Sequence, residues 1–306
     1  MLAFDVHQHL WPEAVLRSLS TRSEAPYARW ERGHWTVELA GEPAFAIDPA
    51  DHDPEDRAAG VRALGLDRAL VALSSAVGIE ELPPGEAVPI LTAWHDEAAL
   101  LPEELEAWAA IPLHAPADEQ VAIADAALDE GAMGVCVPAS ALAGPERLQR
   151  LGPVLNRIEE RLVPLFVHPG ATSPARRSIA WWAPTTSYVA ELHAAWHAFA
   201  AWGRPAHPQL HVVYAALAGL APIHLERTAA RGGPGIDTAL DPLAFYDTAS
   251  YGPRALRSMA AVVGRAQLVH GSDHPVVPAT PLTGDADLAL RTDNAARLLG
   301  LSWVAA

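Results

Sequence analysis

Short apolar runs alternate along the chain with longer segments rich in Ala, Leu, Arg and Glu. The runs at 2–6 (LAFDV), 68–74 (RALVALS), 108–113 (WAAIPL), 133–137 (MGVCV), 163–168 (VPLFVH), 210–215 (LHVVYA), 243–249 (LAFYDTA) and 267–272 (QLVHGS) read as strands. Each is nearly continuous in hydrophobicity, as parallel strands covered on both faces must be. Helices are predicted over 118–130, 145–161, 187–202 and 253–263. Asp118 and Ser187 stand where N-caps belong, and Gly131 and Gly203 where helices stop. This alternation predicts an α/β fold, a closed (β/α)8 TIM barrel. An open doubly wound sheet would give the same pattern.

Residues 18–52 break the alternation. WTVELAGEPAFAI reads as a hairpin turning at Gly41–Pro43, inserted after the first strand. No linker or short repeat interrupts the rest, so a single barrel domain over 1–306 is expected. Composition narrows the partners. With 21 Lys+Arg against 37 Asp+Glu the net charge is −16, which repels nucleic acid and anionic membrane. The one cysteine, Cys136, rules out an internal disulfide framework and sits in an apolar strand, where an inert buried thiol is expected. MLAFDVHQHLWP has neither a basic nor an apolar leader region, and no uninterrupted apolar stretch is long enough to span a bilayer. The expectation is a soluble, cytoplasmic protein acting on a small molecule.

Candidate chemistry lies in the histidines, of which there are 14. His7 and His9 follow the first strand as DVHQHL; residues i and i+2 of a strand share a side, so both imidazoles can face one point. His168 ends the fifth strand in LFVHPG. Asp273 lies just past the eighth in VHGSDHP. Each alone has an ordinary explanation: a packed histidine, or a turn-capping carboxylate. Together they put metal-competent side chains at the C-terminal ends of three strands, the face on which barrel active sites sit. Closure would bring strand eight beside strand one, and Asp273 next to His7 and His9.

D-x-H-x-H-L-W-P, the strand-five HPG and L-x-x-G-S-D-H-P resemble the amidohydrolase superfamily, most closely the branch containing aminocarboxymuconate semialdehyde decarboxylase. ALDEGAMGVCVP, PERLQRLGPVLNRIEERLVPLFVHP, FYDTA and NAARLLG extend the likeness over most of the chain, least clearly at 18–52. The resemblance implies that His7, His9, His168 and Asp273 ligate one divalent metal ion, Zn2+ first; a His3Asp donor set also accepts Mn2+, and Asp273, both ligand and neighbour of the attacking water, can act as the catalytic proton carrier. The chemistry agrees: a catalytic zinc lowers the pKa of a bound water to ~7.

Two positions depart from that pattern. The family's H-x-G-G-x-x-P after strand six places a histidine where this chain has Ala216 in YAALAGLAP; Tyr214 and His224 are near it in sequence. The branch's carboxylate-binding Arg in the inserted loop aligns with Ala46. Further candidates are weaker. Arg176, Arg177 and Trp181 in SPARRSIAWWAP could bind substrate, by forked hydrogen bonds and by stacking. Trp181 and Trp182 would equally suit a homodimer interface, and Trp11 would suit either the pocket wall or the core. His193 and His197, four apart on a helix, read as surface histidines. The expected function is a metal-dependent hydrolase in which a metal-activated water attacks a carbonyl-type substrate. Its rivals are non-oxidative decarboxylation of an aromatic or unsaturated carboxylic acid and a catalytically degenerate barrel that only binds a ligand.

Overall fold

The computed structural model describes residues 1–172, 179–234, 240–277 and 285–301. Eleven strands are present among them: β1 (Phe4–His9), β2 (Tyr27–Glu31), β3 (His34–Glu38), β4 (Phe45–Ile47), β5 (Arg68–Ala72), β6 (Leu105–Ala110), β7 (Gly134–Pro138), β8 (Leu165–His168), β9 (Val212–Tyr214), β10 (Ala244–Asp247) and β11 (Leu268–Val269). Eight form one parallel sheet in the order β1-β5-β6-β7-β8-β9-β10-β11. The two ends meet. Val6 N–H donates to the His270 carbonyl at 2.9 Å and His9 N–H to that of His274 at 2.7 Å, and Gln8 pairs with His274 in parallel. The sheet is therefore a (β/α)8 barrel; an open sheet would leave those donors unpaired.

Burial explains the strand composition. Every residue of β7 and β8 is buried, because the barrel interior covers one face and helices the other. The helix Pro145–Glu160 shows the complementary pattern, burying Leu148, Leu151, Val154, Leu155 and Ile158 on one stripe. Each such side chain contributes about 1.5–3 kcal/mol by leaving water. Inside the barrel Phe166 packs on Trp108 with ring centroids 5.2 Å apart, and Trp108 Nε1–H donates to the Val6 carbonyl at 3.0 Å.

The seam between β11 and β1 has its own clasp. Asp53 caps the helix Pro54–Ala63 by accepting from Glu55 and Asp56 N–H. That helix carries Arg57, whose buried guanidinium donates to the His9 carbonyl at 2.7 Å, the His274 carbonyl at 3.4 Å and Gln8 Oε1. Burial lowers its pKa to about 10, opposed by Asp5 and Asp51.

The insertion is larger than the expected hairpin. β3 and β4 pair antiparallel across Gly41–Pro43 as anticipated, and β2 adds a third strand through a two-residue turn. Arg32 and Gly33 both take positive φ there, 54° and 87°, as a hairpin turn of that length requires. The helix expected over 187–202 is α-helical over Ser187–Ala198 and π-helical over Phe199–Gly203. N-cap positions fall at Pro116 and Thr186 rather than Asp118 and Ser187, which lie inside the first turns. No described helix is long and apolar enough to cross a membrane.

Candidate metal centre

β1 is buried along its whole length, so its polar residues must find partners inside the barrel. His7 and His9 project from it. His168 comes from the end of β8, and Asp273 from the turn after β11, where its N–H donates to the His7 carbonyl at 2.8 Å. One ligand atom from each of His7, His9, His168 and Asp273 lies within 4.8 Å of the others. His7 Nε2 is 3.1 Å from His9 Nε2, and Asp273 Oδ1 is 3.1 Å from His9 Nε2 and 3.5 Å from His7 Nε2. The three rings stand nearly perpendicular to one another, with centroids 4.9, 4.9 and 5.1 Å apart. Asp273 adopts φ +60°, a left-handed conformation that Asp tolerates better than most non-glycine residues.

The outer nitrogens fix which inner atoms are free. His9 Nδ1–H donates to the Ala72 carbonyl at 3.1 Å, and His168 Nδ1–H to the Pro169 carbonyl at 2.9 Å. A carbonyl can only accept, so each of these nitrogens carries the proton, and a neutral ring then presents a bare Nε2. His7 Nδ1 faces Asp247 Oδ2 at 2.5 Å. Once His7 also gives up its inner proton, three imidazole lone pairs and a carboxylate oxygen are aimed at one point and repel one another unless a cation separates them. The donor set fits a divalent metal.

In the metal-free centre a proton on His7 does part of the cation's work. Burial opposes protonation of His7, but Asp247 outweighs it, with Asp273 and Asp5 assisting, and the pKa stands at about 9. Burial, then the neighbouring His9 and His7, hold His168 well below the usual imidazole value. Burial would raise Asp273, yet the close approach of His9 and the electrostatic influence of His7, His9 and His168 bring it below the ordinary carboxylate range.

Sequence reasoning missed Asp247. This fully buried carboxylate accepts from Ala216 N–H at 2.8 Å and Ala249 N–H at 3.0 Å while it orients His7. The pair Glu42 and Tyr188 was missed as well. Tyr188 O–H donates to Glu42 Oε1 at 2.5 Å, joining the inserted sheet to the helix Ser187–Ala198. Burial raises the Glu42 pKa against the hydrogen bond from Tyr188. The Asp273 charge reaches the Tyr188 phenol, and Glu191 on the same helix accepts from Gly170 N–H at 2.8 Å, so this helix starts at the rim of the centre.

The remaining candidates have definite places. Trp11 is buried against Phe45 of the inserted sheet, centroids 4.9 Å apart. Trp181 is 57% exposed and lies against Trp182. Arg176 and Arg177 lie outside the described residues. Tyr214 turns to the helical layer, where it stacks on Tyr246, whose hydroxyl accepts from Trp196. His224 is exposed, 5.0 Å from the His193 ring. Neither takes the place left by Ala216. Cys136 is buried beside Ser75 and Glu80, and burial, with the Glu80 charge, pushes its thiol far up.

No family model matches the sequence, and no curated relative matches it. Solved structures match the fold over nearly the whole chain. One named amidohydrolase II aligns at TM-score 0.75 and 20% identity, covering 97% of this chain and 99% of the other. A 2,6-dihydroxybenzoate decarboxylase from Rhizobium aligns at TM-score 0.71 and 16% identity, covering 98% and 99%. The 5-carboxyvanillate decarboxylase LigW2 from Novosphingobium aromaticivorans, solved with bound manganese, aligns at TM-score 0.66 and 18% identity, covering 81% and 82%. At these identities the likeness establishes the shared barrel.

Proposed function

We propose that this chain is a metal-dependent enzyme of the amidohydrolase superfamily, a single barrel domain with an insertion at 18–52, that removes carbon dioxide without oxidation from an aromatic or unsaturated carboxylic acid. The observation that carries the metal dependence is the convergence of His7, His9, His168 and Asp273 with their proton-bearing nitrogens turned outward. Decarboxylation is preferred to the hydrolysis expected from sequence because neighbours matched along most of their length are named as decarboxylases. Zinc suits the His3Asp donors, and manganese is its rival, since LigW2 holds it.

A divalent cation held there would attract a substrate carboxylate and polarise an adjacent oxygen. The chain's own groups do the rest. His7, kept in register by Asp247, and His9 and His168, kept by carbonyls, fix the centre before substrate arrives. When the bond to the carboxyl group breaks, its electron pair stays on the substrate carbon and CO2 leaves. Asp273 is positioned to hand that carbon a proton taken from a substrate hydroxyl or from water. Phe166, packed against His7 at 4.9 Å and against Trp108 inside the barrel, gives the centre an apolar floor.

Hydrolysis is the second reading, and Ala216 favours it: Asp273 alone can take the proton of an attacking water, with no histidine required from strand six. The two separate in one experiment. Metal-loaded protein is offered hydroxybenzoates and lactones while CO2 and acid release are followed. Release of CO2 from hydroxybenzoates is expected; acid release from lactones alone would overturn decarboxylation in favour of hydrolysis. The His168→Ala variant is expected to lose the metal and all turnover. Unchanged metal content in that variant would remove the basis of both readings.

A further inference from the structure

On the outer surface of the barrel, away from the centre, His193, His197 and His224 line an open cavity of 540 Å³ together with Arg227, Thr228, Arg231 and Gly233. His193 and His197 are one turn apart on the helix Ser187–Ala198, their ring centroids 4.7 Å apart. His224 arrives from the segment that follows β9 and meets His193 edge-on at 5.0 Å. We propose that these three histidines form a second, solvent-accessible site for a borderline divalent transition-metal ion such as Ni2+, Cu2+ or Zn2+.

The spacing is the first argument. Histidines at i and i+4 lie on one helical face and can bind one ion. The third imidazole comes from a different element, so the site does not depend on helix geometry alone. Ring surroundings are the second argument. His197 packs against Trp196 at 4.9 Å, so one of the three rings is braced by an aromatic neighbour. Burial, and then the nearby imidazoles, lower the pKa of His193 and His197. Neutral rings offer lone pairs to a metal, whereas an anion would need them protonated side by side.

The cost is also visible. Among the described residues only the inner centre already gathers its ligand atoms within 4.8 Å, so the outer rings must turn to close on an ion. Arg227 and Arg231 repel a bare cation. Both facts predict weaker binding than at the inner centre, and both leave room for an anionic group to complete the coordination.

Untagged protein passed over Ni2+-charged resin tests the site, because an immobilised ion can reach a surface cluster but not a buried one. Wild-type protein is expected to be retained and His193→Ala/His197→Ala to elute at clearly lower imidazole. Equilibrium dialysis with Zn2+ gives the second measurement: two ions per wild-type chain, one for the double variant, and one for His168→Ala, which keeps the outer site. His224→Ala is expected to weaken the outer site by on the order of tenfold or more. Equal retention of wild type and double variant, or a single wild-type ion that the double variant also keeps, would overturn the proposal. A wild-type chain that keeps only the outer ion would leave this site standing and remove the inner one instead.

Discussion

The barrel mouth has two unlike sides. At the seam where β11 meets β1, buried polar groups are dense and most are paired, His270 Nδ1 and His274 Nδ1 excepted: the Asp5 carboxylate accepts from the His7 and Ser272 N–H groups, Asp273 faces both His7 and His9, and Arg57 clasps two carbonyls from opposite ends of the chain. After β9, where the related pattern carries a histidine, the wall is alanine and leucine, and five consecutive residues, Ala216–Leu220, hold φ between 46° and 62°. Four of the five are not glycine, at a cost of roughly 1–2 kcal/mol each. The seam keeps its chemistry by hydrogen bonding. The other side keeps only its shape, held by packing. At Ala216 only the backbone takes part in the centre, its N–H donating to Asp247 Oδ1 at 2.8 Å.

Asp247 bridges the two sides, and removing it should have the largest effect. Asp247→Ala would leave a charged His7 without its partner and the Ala216 and Ala249 N–H groups without an acceptor, destabilising the metal-free protein by about 3–5 kcal/mol. Metal affinity should fall a further 10–100-fold, on the scale of lost outer-shell support. Asp247→Asn keeps the shape and should recover most of the stability but not the affinity. Denaturant melts and metal titrations of both variants check this. Equal affinity in Asp247→Asn and wild type would show that His7 needs no carboxylate.

On the apolar side, Gly219 is the residue the turn requires. A Cβ there would stand 2.4 Å from the Val189 carbonyl oxygen. Gly219→Ala should cost about 2–4 kcal/mol through overpacking and the left-handed φ together. A thermal shift under a few degrees would show that the helix Ser187–Ala198 can move aside.

The seam was legible in the sequence because its signal is local: HxH in a strand, HPG at a strand end and GSDHP in a turn each announce a side chain at a known place. Asp247 stands in FYDTA without such a mark, and its role exists only because closure brings His7, 240 residues away, to within 2.5 Å. Glu42 and Tyr188 are equally distant in sequence and meet only through the insertion. β2 escaped notice because Trp30 and Trp35, which pair across it, interrupt a charged stretch, ARWERGHW, with a turn lacking Asn or Asp. The barrel strands were read correctly to within a few residues, since two-sided burial makes them continuous in hydrophobicity.

Ala216→His sharpens the comparison directly. Histidine is among the residues that tolerate positive φ, so the backbone can accept it. If decarboxylation is the reaction, the added imidazole should raise turnover by about 10–100-fold, below the full range of a general acid–base contribution. An unchanged rate with intact metal binding would mean that this chain's chemistry bypasses strand six, as hydrolysis through Asp273 would.

The smallest effect belongs to the loop after β5. Glu80 is fully buried, its Oε1 accepts from Ser75 O–H at 2.5 Å, and its Oε2 has no partner. Burial raises its pKa from 4.5 to about 7, more than the Ser75 hydrogen bond lowers it. A carboxyl whose pKa rises on folding favours the folded state fully below pH 4.5, and that contribution is lost as pH climbs through 7. Glu80→Gln removes the titration while keeping an acceptor for Ser75. The variant should therefore match wild type near pH 4.5, gain on it between pH 4.5 and 7, and hold a constant advantage of about 1–3 kcal/mol above that. Melting both proteins across this range checks the slope. A pH-independent difference would mean that the Glu80 carboxyl stays ionised, stabilised by a partner of its free oxygen, and that this wall of the mouth is as polar as the seam.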